Sequence, residues 1–160
     1  MRNSGIGKFN SSIHNTSIGN FLVRDFPTGR SNVMKYKRFE DLPCWQISRE
    51  LCQAVFALIS RGNFGRDVGL KSQIWRAAGS TMDNIAEGFE DGSSREFIRF
   101  LGYSQRSCSE VQSQLYRALD CSYINQDEFA KVYEIASECR KQIKGFRKYL
   151  RDYDKRNKEE

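Results

Sequence analysis

The sequence predicts an all-α fold, an antiparallel up-down-up-down four-helix bundle behind a disordered N-terminal extension. Three observations carry this expectation. From Met34 onward apolar residues recur every three or four positions, the spacing that gathers them on one face of a helix. The breaks between the periodic stretches are short, so each helix must turn back on its neighbour. The length of 160 residues suits one domain with a real core, and there are only two prolines to interrupt it.

Residues 1–33 differ from all that follows. Sixteen of these 33 are Ser, Thr, Asn or Gly, with no sustained period. Arg2, Lys8, Arg24 and Arg30 against Asp25 give the basic, acid-poor character of a transit peptide. The plainer reading is a disordered tail, with Met34 as an alternative functional start. Phe21-Leu22-Val23 is too short a run for the core of a secretory signal.

The bundle is expected over residues 34–155, with residues 156–160 as a charged tail. Asp41-Leu42-Pro43 opens the first helix, because proline in the first turn gives up no hydrogen bond. Its stripe is Ile47, Leu51, Val55 and Leu58, with Trp45, Cys52 and Ile59 alongside. Arg61 to Arg66, with two glycines, breaks it. The second helix runs from about Asp67 with Leu70, Ile74, Ala77, Ala78, Thr81 and Ile85 in register, and Gly88 is placed to end it in a left-handed conformation. Ser93 and Glu96 form a capping box for the third helix, whose stripe is Phe97, Leu101, Ser104, Cys108, Val111, Leu115 and Ala118. Asn125 and Glu128 repeat that logic more loosely for the fourth. Its stripe, Phe129, Val132, Ala136, Cys139, Ile143, Phe146, Leu150 and Tyr153, has the three-four spacing of a packing seam.

Composition removes several classes of chemistry. The one histidine, His14, lies in the N-terminal extension, which argues against Ser-His-Asp, Cys-His and His-rich metal sites. A di-iron bundle needs Glu-x-x-His on two helices, and no predicted helix contains His. Magnesium on Glu87 and Glu110 would rest on two unspecific carboxylates. Cys44, Cys52, Cys108, Cys121 and Cys139 contain no C-x-x-C pair and read as buried free thiols in a reducing cytoplasm. No stretch approaches the length of a membrane span. A non-enzymatic protein without cofactors or metal is expected.

Two constellations stand out. Gln73, Arg76, Ser80, Asn84 and Glu87 form a polar row beside the apolar stripe of the second helix, and Ser107 and Glu110 answer it from the third. A buried polar seam that fixes register is the expected reading, with a ligand or partner site and a catalytic site as alternatives. The second constellation is a basic stripe of Arg140, Lys144, Arg147, Arg151 and Lys155, flanked by Lys148. Of the net charge of +6, half lies in residues 1–33, so this stripe is a local concentration on a nearly balanced fold. It reads either as a phosphate-binding surface or as a solvated helix end. Asp83, Glu87, Glu90, Asp91 and Glu96 make an acidic pole, opposed to the basic one, and the two poles suit pairing between subunits.

Phe39-Glu40-Asp41-Leu42 with Trp45, Gly69-Leu70, Gln73-Ile74 and Arg76-Ala77-Ala78 form a recognisable series. Its most specific element is Asn84-Ile85-Ala86-Glu87-Gly88, followed by Ser93, Glu96, Phe97, Phe100-Leu101, Ser107, Glu110, Gln114-Leu115 and Ala118 to Ile124. Over roughly Tyr36 to Leu150 the chain resembles the four-helix-bundle proteins encoded in intervening sequences of bacterial 23S rRNA genes, often labelled a ribosomal protein. Trp75 departs from the basic residue common there, and Gly79 from a larger aliphatic. The resemblance implies a tendency to form a ring-like homo-oligomer such as a pentamer. It also implies kinship with the accessory variability determinant of diversity-generating retroelements, which binds nucleic acid and a reverse transcriptase. No catalytic residues come with it. The functional expectation is an oligomeric bundle that binds RNA or DNA through the basic stripe, or alternatively a protein-interaction scaffold or accessory subunit.

Overall fold

A computed structural model describes residues 36–156, which form four long helices and two short 3-10 turns. Helix α1 spans Pro43–Ile59, α2 Val68–Glu90, α3 Ser94–Asp120 and α4 Gln126–Arg156. They pack as a ring: α1 lies between α2 and α4, and α3 between α2 and α4 on the other side. This is the antiparallel order that the short connections dictate. The expectations for residues 1–33, and for all but the first residue of 156–160, lie outside the described residues.

Local chemistry explains the boundaries. Leu42, at the N-cap of α1, is buried in the core, and Pro43 occupies the first helical turn. Asp67 caps α2 by accepting from the Leu70 amide at 2.9 Å. Gly88 does not end α2: it is helical and buried, and the helix runs on to Glu90. The left-handed glycine is Gly92, at φ 74°, in the connection itself. The physical reason lies across the interface. A Cβ on Gly88 would stand 2.6 Å from Phe100 Cβ, so glycine is required there for the approach of α3 rather than for a turn.

The two capping boxes exchange rank. Ser93 accepts from the Glu96 amide at a long 3.5 Å, while the Glu96 carboxylate pairs with Arg99. Asn125, the looser match, forms the reciprocal box: Glu128 N–H donates to its Oδ1 at 2.9 Å, and its own N–H donates to Glu128 Oε2 at 3.0 Å. Arg61, at the end of α1, adds an ion pair to Glu128.

All seven predicted stripe residues of α3 are buried, as are those of α4 through Leu150. The buried face of α1 is rotated from expectation. Cys44, Ser48, Leu51, Cys52, Val55, Leu58 and Ile59 face inward, while Ile47 is only half-buried. Phe64, inside the predicted break, is fully buried and stacks on Tyr123 with ring centroids 5.5 Å apart. The loop thus plugs the end of the bundle where α2 starts and α3 ends.

Candidate nucleic-acid interface

Small polar side chains cross the middle of the bundle and join all four helices. Ser48 Oγ donates to the Cys44 carbonyl at 2.6 Å, which spends its only hydrogen. Cys139 Sγ, 3.2 Å from Ser48 Oγ, must therefore be the donor in that contact. Cys108 Sγ then donates to Cys139 Sγ at 3.5 Å, with Thr81 Oγ1 at 3.9 Å as a weaker alternative. Ser104 Oγ donates to the Thr81 carbonyl at 2.7 Å, and Cys52 Sγ to the Ala78 carbonyl at 3.0 Å. Burial pushes the Cys44 thiol up to about 12 and the Cys52 thiol to about 11. The contact with Cys108, with burial added, holds Cys139 well above the usual thiol range. Cys44, Cys52 and Cys139 are thus held as thiols, and the Cys52 and Cys139 sulfurs hydrogen-bond across helices.

The polar row predicted on α2 sits elsewhere. Arg76, Glu87 and Glu110 are exposed, and Gln73, Ser80, Asn84 and Ser107 are half-buried. Asn84 Nδ2 donates to the Ser80 carbonyl at 2.6 Å, and Ser107 Oγ to the Tyr103 carbonyl at 3.2 Å, each within its own helix. Among the described residues, Gln73 alone of this row is bonded across helices, accepting from Arg117 Nη1 at 2.8 Å. The buried seam is carried instead by Ser48, Thr81, Ser104, Cys108 and Cys139. Their signal in the sequence was a hydroxyl or thiol at positions where the stripe is otherwise aliphatic.

The two flanks of α4 differ in charge. On the side facing α1, Lys131, Glu134, Glu138 and Lys141 line a cleft of about 390 Å³ with Ile47, Glu50, Ile135 and Ser137. Lys141 pairs there with Glu138 at 3.3 Å. Elsewhere on α4, Arg140, Lys144, Lys148, Arg151 and Lys155 are exposed and make no ion pair among the described residues. Arg147 is half-buried against α3 and donates from Nε to the Ile98 carbonyl at 3.1 Å. Burial, then the charges of Arg151 and Arg106, hold it below the ordinary arginine range. Arg106, on α3, was not among the predicted stripe residues because no single-helix period can reveal it.

The acidic and basic poles are not at opposite ends. Phe97, at the start of α3, packs edge-to-face on Phe146 of α4 at 5.5 Å, so the basic end of α4 shares its end of the bundle with the acidic α2–α3 connection. Antiparallel packing requires this, since α4 finishes where α3 begins. The charges are separated sideways instead, on α2 and α4, which are not neighbours in the ring.

The sequence model of the 23S rRNA-intervening sequence protein family matches residues 40–145, from the first 3-10 turn to within α4. The chain belongs to that family. The family's description names no reaction. The comparison with curated proteins finds no relative. Among solved structures, the chain is similar to a protein of unknown function from the S23 ribosomal protein family of Bacteroides thetaiotaomicron. The two share 19% identity and a TM-score of 0.57, over 62% of this chain and 94% of the other. That likeness is one of fold, and it covers nearly the whole of the other protein. Among the described residues of this intervening-sequence protein no helix is long and apolar enough to cross a membrane, and no group of three or more His, Cys, Asp or Glu could hold a metal ion.

Proposed function

We propose that this protein is a non-enzymatic nucleic-acid-binding bundle whose α4 meets the phosphate backbone of structured RNA or DNA. The observation that carries this reading is the set of exposed cations Arg140, Lys144, Lys148, Arg151 and Lys155, which make no ion pair among the described residues, with Arg106 facing them from α3. Cations without protein partners remain available to phosphates, and each phosphate they neutralise releases a counterion. The binding is therefore salt-dependent and tolerant of sequence. The test is a gel-shift titration of structured RNA against the triple variant Arg140→Glu, Lys144→Glu, Lys148→Glu. All three side chains are exposed, so the fold is retained. Loss of the shift at moderate salt is expected; unchanged binding overturns the reading.

A second reading, an assembly scaffold or accessory subunit, draws on a different surface. Phe56 and Trp75 are 57% and 43% exposed, with ring centroids 5.8 Å apart at the α1–α2 corner. Exposed aromatics of this kind favour protein contacts. Light scattering on Phe56→Ser with Trp75→Ser tests self-association through this corner: the mass per particle falls if the corner joins copies, and an unchanged mass removes this surface from the assembly.

A further inference from the structure

The basic face contains one place built differently from a row of solvated cations. We propose that Arg106, Arg147 and Arg151 form a seat for a single phosphate group in the α3–α4 groove, with Gly102 as its floor. The seat deepens the nucleic-acid reading and rests on it only for the source of the phosphate.

Gly102 is buried, and a Cβ built on it would stand 2.9 Å from Arg147 Nη2 and 3.0 Å from Cζ. Glycine is what lets the guanidinium lie against α3. Of the five N–H groups of that guanidinium, only Nε has an acceptor among the described residues, the Ile98 carbonyl at 3.1 Å. The outer edge of the fork is thus fixed in direction and left without acceptors. Arg106 is also held: its Cζ lies 5.0 Å from the centroid of the Tyr103 ring, and its Nε makes a long contact of 3.5 Å to the Gly102 carbonyl. Arg151 follows Arg147 by one turn of α4.

Three like charges so placed repel one another, and burial adds to the cost at Arg147. Among the described residues Glu110, one turn from Arg106, makes no ion pair, nor do Asp152 and Asp154 beside Arg151. Uncompensated guanidiniums that share a groove are the complement of an oxyanion with several acceptor oxygens, and the planar fork matches phosphate by paired hydrogen bonds. A lysine row alone gives field without geometry; Lys144, Lys148 and Lys155 supply that field around the seat.

The seat is tested on the full chain by following the arginine Nε–Hε resonances while inorganic phosphate replaces chloride at constant ionic strength. A saturable shift at Arg147 and Arg106 is expected, lost in Arg106→Gln and in Gly102→Ala. A linear shift, or one equal in chloride, overturns the seat, whatever RNA does. Arg106→Gln is a surface change that leaves the core intact, so it also serves in the RNA titration. There the slope of log affinity against log salt should fall by about one, with equal weakening across RNA sequences. A saturable phosphate shift with an unchanged slope retains the seat and assigns it to free phosphate. If the exposed α4 triple variant abolishes RNA binding while the phosphate titration is linear, the α4 face stands and the seat does not.

Discussion

Small residues at the two interfaces of helix α3 serve opposite purposes. Toward α2, smallness brings backbones together. Gly88 admits Phe97 and Phe100 of α3, and Ser104 reaches the Thr81 carbonyl at 2.7 Å. Toward α4, smallness at Gly102 opens room for a charged group. The first interface is buried and specifies register; the second leaves the Nη groups of Arg147 without acceptors among the described residues. The same residue type therefore predicts nothing about function until the atom opposite it is known.

The largest expected effect comes from the core residue next to Gly102. Leu101 is fully buried beside Gly102, and Leu101→Ala should cost about 2–5 kcal/mol by leaving a cavity, read as a lower urea midpoint at unchanged slope. The two glycines come next. In Gly88→Ala the added methyl meets the Cβ of Phe100 at 2.6 Å, where nothing flexible can give way. A net loss of about 1–2 kcal/mol is expected after the gain in helix propensity is subtracted. Gly102→Ala meets only the far end of the long Arg147 side chain, which can shift without moving backbone, so its stability should stay within about 0.5 kcal/mol while its RNA salt slope falls. Equal destabilisation by the two substitutions would refute the distinction.

Smaller still is Ser104→Ala, which removes one buried hydrogen bond and should cost about 1 kcal/mol in thermal or denaturant unfolding. The last effect is kinetic. Cys121 is exposed, whereas Cys44, Cys52, Cys108 and Cys139 are buried. Cys121 should therefore be labelled quickly by a maleimide, while Cys44, buried and pushed up to about 12, stays unlabelled in the folded protein. Mass spectrometry that found Cys44 modified as fast as Cys121 would show that the interior is open.

The four helices were legible because each carries its own period. The seam of α4 from Phe129 to Leu150 is buried residue for residue, and the family series over α2 and α3 agreed with it. What could not be read was whatever depends on two helices at once. Phe64 looked like part of a break because no local period includes it, yet it fills the end of the core. Gly88 looked like a terminator because its partners, Phe97 and Phe100, belong to the next helix. The candidate site divides in the same way. The stripe from Arg140 to Lys155 follows from α4 alone, but Arg106 and the purpose of Gly102 depend on which side of α3 the fourth helix lies against.

The ring order has a consequence for synthesis. Because α4 packs against both α1 and α3, the last helix closes the bundle onto the first. Until residues near Leu150 have left the ribosome, Leu51, Val55 and Leu101 lack part of their cover, and the nascent chain presents apolar faces along α1 and α3. A chain cut before α4 would hold three helices with an open side, a state suited to capture by chaperones or by one another. The segment that carries the positive charge is thus also the one whose arrival covers the apolar faces of α1 and α3.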